Sequence, residues 1–465
     1  MKFFNGYETK KSEKLFLCFV GLFSILIFIY YLQKNMYISL HDEGGYLQIS
    51  TQILQEGLFS LKEPVRTYMY PLLIAVFRAI NFGDELYSKA IFSVFQYFVY
   101  IMTIILIANV SWAVKPKKII VHTIFSLGVL NPYLIQSATL YLTDLLSSCI
   151  IVITIVFAAS SNVNKGVNIF LSIGLLVVSL MIRPSNAIFF PVVFIILLIR
   201  LIKKEIKLNF KLLVFGFAQL LILLPQLYNN VVHFNKWTPL IVQKLYTTQS
   251  IWATQFLKYA TLASSENPQL FYNNPYHLFR PDDTTTIFQM MFENFGVFIF
   301  TVSAHLFAVL DWGYIDTYIT NFYPVSRIFG SVFLYLSWLL ILLGICLWVK
   351  GFIKGNFKSR MRPGGLAINA CLFTSILYTS FISTTLVESR FGYPIFILLL
   401  AFSGWGAEYV FNSIKSSKNS FLYFIKALGY LVLFVILAAV LLLLSFKFDV
   451  YTGKIDWKTV FPFLP

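Results

Sequence analysis

Two adjacent carboxylates open the chemistry of this chain. Asp42 and Glu43 stand in the run His41-Asp42-Glu43-Gly44-Gly45-Tyr46, directly after the first long apolar stretch. A carboxylate in that place can take a proton from an attacking hydroxyl. Four further polar sites also stand at the ends of apolar stretches: Thr143-Asp144, Arg183-Pro184, Asn229-Asn230 through Trp237-Thr238-Pro239, and Glu388-Ser389-Arg390. Arginine is the side chain that grips a phosphate through two parallel N–H bonds. Each site also has a plain structural reading. Asp42 and Asp144 can start helices, Arg183 can snorkel to an interface, the Asn/Trp/Pro stretch can be a turn, and Glu388 with Arg390 can be a loop ion pair. Ionisable groups at membrane depth are costly and usually mark function, and five separate sites falling on one face favour the functional reading.

The elements that must position these residues follow from composition. The chain has 465 residues, of which 58% are apolar and only 12% charged, whereas soluble domains carry roughly 45–50% and about 25%. Too few charges exist to coat a water-facing surface, so a soluble domain is excluded, as are disordered, collagen-like and disulfide-stapled classes. The net charge of +16 comes without a basic helix, finger or aromatic ribonucleoprotein motif, and nucleic acid is not expected as a partner. Cys18, Cys149, Cys346 and Cys371 lie in apolar runs without metal-ligand spacing and read as packing residues. The first apolar run ends Ile29-Tyr30-Tyr31-Leu32-Gln33 with no small-residue cleavage site, which predicts a retained anchor.

The fold expected is all-α: a polytopic transmembrane helical bundle of about eleven spans, at 15–32, 90–114, 119–136, 142–159, 167–182, 187–202, 212–227, 328–349, 366–386, 393–410 and 421–446. A twelfth apolar stretch, 292–310, contains His305. Counting it as re-entrant or interfacial keeps the basic clusters at 200–211 and 350–362 on one side with 115–118 and 415–426, as the positive-inside rule requires. The surplus positive charge is then a topology signal. A single domain over 1–465 is expected, with two large outer segments, 34–89 carrying the acidic pair and 228–327. In the first, Tyr46, Leu47, Ile53, Leu54 and Leu58 fall on one helical face and Gln48, Gln52, Gln55 and Glu56 on the other, predicting a surface-lying helix from near Asp42 to near Gly57.

An acidic pair beyond the first span, an amphipathic surface helix and then Arg66-Thr67-Tyr68-Met69-Tyr70-Pro71 leading back to the membrane resemble the GT-C superfamily of polytopic glycosyltransferases. Its members include protein mannosyltransferases and the bacterial aminoarabinose transferases of lipid A. Leu142-Thr143-Asp144, Arg183-Pro184, the stretch 225–239 and Glu388-Ser389-Arg390-Phe391 with Tyr393-Pro394 are similar to recurring positions in bacterial members. The pattern spans residues 1 to about 401. The sequence departs from it where Gly44-Gly45 separates the acidic pair from Tyr46, and Lys62-Glu63-Pro64 matches the Lys-Pro-Pro element of the aminoarabinose enzymes only in part.

The resemblance implies an enzyme that moves a sugar from a polyprenyl-phosphate donor to a hydroxyl of a glycolipid, glycan or protein acceptor. Asp42 would be the base, with Glu43 and Asp144 as catalytic companions. Arg66, Arg183 and Arg390 would bind the donor phosphate, and Tyr46, Tyr70 and Glu388 the substrates. The leaving phosphate is a stabilised anion, so no second carboxylic acid is needed to protonate it. No cofactor is required, although Asp42, Glu43 and Asp144 could hold a divalent cation if they converge; Asp282-Asp283 reads as a helix start. The chain is expected in a bacterial inner membrane, its active site on the periplasmic or extracellular face, with no soluble carboxy-terminal domain. The competing reading is a lipid-linked oligosaccharide flippase or polymerase-like protein, which should carry ionisable groups nearer mid-membrane.

Overall fold

The computed structural model describes residues 11–39, 42–159, 165–205, 210–260, 270–276, 284–312, 327–353, 363–416 and 420–450. These residues are helical almost throughout. Eight helices are long and apolar enough to cross a membrane, and five shorter apolar ones accompany them. The protein is therefore an all-α membrane protein in class. One feature departs from the expectation: a small antiparallel hairpin, β1 Phe256–Ala260 with β2 Leu270–Asn273, lies in the long segment 228–327. Its strands are short and aromatic-rich, Phe-Leu-Lys-Tyr-Ala against Leu-Phe-Tyr-Asn, a composition that suits a pleated surface better than a helix.

The chain divides into two compact units, Met1–Lys244 with Phe352–Ile376, and Leu245–Gly351 with Leu377–Pro465. The first unit carries α1 Lys11–Asn35, α2 Asp42–Glu56, α3 Met69–Ile80, α4 Glu85–Val114, α5 Lys118–Val129, α6 Pro132–Ser137, α7 Thr143–Ala159, α8 Lys165–Ile182 and α9 Phe190–Ile202. Local chemistry sets several of these boundaries. Asp84 caps α4 by accepting the Tyr87 N–H at 2.9 Å, and Asn131 caps α6 ahead of Pro132. Pro184 forces the residue before it out of helical geometry, so Arg183 is extended (φ −145°, ψ 108°) and α8 stops there. α7 is apolar all round and buried along nearly its whole length, making it the centre of this unit.

α2 spans Asp42–Glu56, as its periodicity predicts, but its buried face differs in detail. Ile49 and Ile53 are buried with Leu61, Tyr68, Ala75, Leu180 and Met181, while Leu54 is exposed. The side groove between α3 and α8 takes the Ile49 row, and Leu54 is left to the outside. Tyr46 and Leu47 pack on a second cluster of Tyr70, Ile74, Phe92, Tyr141, Leu146, Ile150 and Ile182.

In the second unit, helix 295–310 is preceded by a break at Asn294, which caps it by accepting the Val297 N–H at 3.1 Å. Helices 327–353 and 393–415 touch backbone to backbone, because a side chain at Gly344 would collide with the Phe402 carbonyl and one at Gly406 with the Leu340 carbonyl. Trp312 packs edge-on against Tyr393 at 4.9 Å between ring centres.

Candidate active site

The site is built in the first unit around the start of α2. Glu43 is fully buried. Its Oε2 lies 2.9 Å from Lys89 Nζ and accepts the Tyr141 backbone N–H at 2.8 Å. Lys89 Nζ also donates to the Ile38 carbonyl, and it lies 5.4 Å from the centre of the Tyr141 ring. The loop that presents Tyr141 is held by two further residues. Gln96 donates to the carbonyls of Ala138 and Leu140 at 3.2 and 2.9 Å, and the Tyr70 hydroxyl donates to the Leu142 carbonyl at 2.9 Å. Farther along α2, Arg78 donates to Ser50 Oγ at 2.8 Å and Thr51 Oγ1 at 2.7 Å while pairing with Glu85 at 3.0 Å. These bonds fix α2 in place and in rotation.

Asp42, one residue earlier, faces the other way. Its Oδ1 lies 3.0 Å from Arg66 NH2, and the side chains keep 37% and 24% of their exposure. The Arg66 guanidinium also lies 5.2 Å from the centre of the Tyr46 ring. Glu63 shapes the loop that delivers Arg66, accepting the Val65 and Arg66 backbone N–H groups at 2.8 and 3.2 Å. Burial, and then the neighbouring charge of Asp42, raise the Tyr46 phenol above its usual range. Burial works against the Arg66 charge, but Tyr46, Asp42 and Glu63 outweigh it and hold the guanidinium firmly protonated.

Beneath this rim, Asp144 in the first turn of α7 is fully buried and ion-paired with Arg183, which also donates to Ser185 Oγ at 3.0 Å. Asn186 donates to Ser147 Oγ at 2.8 Å and ties the turn after Arg183 to the same helix. Tyr46 meets Tyr70 edge-on at 5.1 Å, and Thr143 hydrogen-bonds the Tyr46 side chain, so the acidic pair and the Asp144–Arg183 pair belong to one cluster. Asn229 donates to the Leu58 carbonyl at 2.9 Å, and Asn230 to the Thr238 and Leu240 carbonyls at 2.6 Å each, which folds the segment after helix 224–234 towards the first outer segment.

Seven of the nine residues singled out in the sequence, Asp42, Glu43, Tyr46, Arg66, Tyr70, Asp144 and Arg183, are thus gathered in the first unit. Glu388 and Arg390 belong to the second. There they form a two-point pair, Arg390 Nε to Glu388 Oε2 at 2.8 Å and NH2 to Oε1 at 3.1 Å. Asp282, Asp283 and His41 lie outside the described residues. Asp42, Glu43 and Asp144 each face a cation of their own, and among the described residues no group of three His, Cys, Asp or Glu is arranged to hold a metal ion.

Nothing in the sequence sets Lys89, Arg78 and Tyr141 apart, because each reads as an ordinary residue at the edge of an apolar run. Gly45 was marked only as a departure from a pattern, yet a side chain there would meet the Arg66 guanidinium at 2.9–3.1 Å. No protein-family model matches the chain, and the searches of curated proteins and of solved structures gave no significant match.

Proposed function

We propose that this protein is a membrane glycosyltransferase that moves a sugar from a polyprenyl-phosphate donor to a hydroxyl of a glycolipid, glycan or protein acceptor. The observation that carries the reading is the accessible Asp42 carboxylate beside Arg66, standing above the buried Asp144–Arg183 pair at the ends of apolar helices. In the reaction, Asp42 takes the proton from the acceptor hydroxyl as its oxygen bonds to the anomeric carbon. The bond from that carbon to the phosphate oxygen breaks, and its electron pair leaves with the polyprenyl phosphate as a dianion. Attack from the side opposite the leaving group inverts the sugar. Arg66 and Arg183 supply the positive charge that the departing phosphate needs, and Asp144 aims Arg183. Arg390 is matched to Glu388 within the second unit.

The reading goes with a topology of eleven spans, the amino terminus inside, the carboxy terminus outside and the stretch 292–310 not crossing. A bacterial plasma membrane with the site on its outer face is the setting proposed. The test is purified protein in lipid vesicles given a panel of polyprenyl-phosphate hexoses and pentoses together with glycolipid and peptide acceptors. Transfer with release of polyprenyl phosphate, lost in Asp42→Asn, is expected. Absence of transfer, with movement of a lipid-linked oligosaccharide across the same vesicles, would replace this reading with transport.

A further inference from the structure

Arg66 is placed to serve two anions in turn. Its partner Asp42 is partly exposed, and so is Arg66 itself, whereas the neighbouring Glu43–Lys89 pair is closed from solvent. Partly exposed ion pairs are held weakly and exchange readily. The guanidinium rests over the first turn of α2 at Gly45, where an added Cβ would lie 2.9 Å from Cζ, 3.0 Å from NH2 and 3.1 Å from NH1. At Gly44, one residue away, an added Cβ would meet nothing within 4 Å. The missing side chain at 45 is therefore the seat of the guanidinium, and the one at 44 is not. The Tyr46 ring, 5.2 Å from Cζ, attracts the cation through its face whether or not a carboxylate is paired with it, so Arg66 can change partner without being released to solvent.

A phosphate monoester dianion is a stronger partner for the guanidinium fork than an exposed carboxylate. A carboxylate paired with a guanidinium is also a weaker base than the same carboxylate unpaired. We propose that Arg66 is a shared cation: Asp42 holds it while the site is empty, and the phosphate of the lipid-linked donor draws it away from Asp42, so that donor binding raises the basicity of that carboxylate. This rests on the glycosyltransferase reading. It adds that donor binding and base activation are one event. The acceptor is then deprotonated only when a donor is in place.

The experiment uses the full chain in nanodiscs and measures equilibrium binding of polyprenyl monophosphate, which lacks a sugar and cannot turn over, with inorganic phosphate in parallel. Asp42→Asn should bind polyprenyl phosphate about two- to fivefold tighter than the parent, the range that release of a partly exposed ion pair returns, although it no longer transfers sugar. Asp42→Ala should do the same. Arg66→Gln should bind severalfold more weakly, and Gly44→Ala should match the parent in binding and transfer. The same ranking with inorganic phosphate supports the exchange with the headgroup alone as ligand, and the ranking with the lipid only supports it with a membrane-anchored phosphate. If both Asp42 variants bind no tighter than the parent while Arg66→Gln weakens binding, the exchange is wrong and the glycosyltransferase reading stands. If the parent does not bind polyprenyl phosphate at all, both fall.

Discussion

The rim and the floor of the candidate site begin at adjacent residues and have opposite character. At the rim, Asp42, Arg66 and Tyr46 form a loose, partly exposed group that a ligand can reach. At the floor, Glu43, Lys89 and the Tyr141 backbone form a closed one, with Glu43 inaccessible and its carboxylate held from two directions. Both carboxylates are a single residue apart on one helix, and about 100° of rotation separates chemistry from architecture. The acidic pair is divided by geometry, Glu43 turned inward to Lys89 and Asp42 outward to Arg66. One carboxylate anchors α2, and the other is thereby presented.

The largest expected effect is at the rim. Asp42→Asn should lower turnover by about 10²–10⁴-fold, the usual contribution of a general base, while its thermal unfolding stays close to the parent's. Near-parental turnover in purified enzyme would erase the distinction from the rim side. At the floor the effect should fall on stability. Glu43→Gln leaves Lys89 buried without its carboxylate, which costs about 3–5 kcal/mol in comparable buried pairs, read as a lowered midpoint in detergent or denaturant melts. Adding Lys89→Met should recover much of that loss, since removing both partners of a buried pair is often close to neutral. A double variant no more stable than Glu43→Gln would show that the pair is not what anchors the helix.

Smaller effects separate the arginines. Arg183→Lys keeps the charge against Asp144 but loses the fork, and donor KM should rise severalfold with expression preserved. Arg183→Gln should do more, and should also destabilise, because Asp144 is left charged and fully buried. Arg390→Gln should disturb donor use less than Arg183→Gln, because the Nε–Nη2 edge of Arg390 is already taken by Glu388. An equal or larger rise in donor KM at Arg390 would reverse this ranking.

The smallest expected effect is a pH signature of the packing beneath α2. Burial pushes the Tyr68 phenol up to about 12, and its hydroxyl donates to the Ile222 carbonyl at 2.6 Å. With the folded pKa above the unfolded value near 10, the folded state holds the proton longer. That contribution to stability is complete below pH 10 and is lost as pH rises towards 12. Tyr68→Phe should flatten the decline in unfolding midpoint over that window, and an unchanged alkaline slope would mean that the phenol is not closed in as the structure has it.

The class of this protein is legible in its sequence, which suffices because apolar content and the length of apolar runs are sums over neighbouring residues and need no partners. So are the place of α2, from its periodicity, and the end of α8, from the proline after Arg183. Only the tertiary structure decided which polar residues meet. Glu43 finds Lys89 and the Tyr141 backbone across 46 and 98 residues of chain, and Asp144 finds Arg183 across 39; such pairings arise from how α2, α4, α7 and α8 pack. It likewise decided which apolar helices are enclosed. The stretches 389–415 and 421–445 are both long and apolar enough to cross a membrane, yet the first is mostly buried within the protein and the second is almost wholly exposed. Hydropathy measures how well a residue leaves water and is the same whether lipid or another helix receives it, so the choice between the two is made by packing alone.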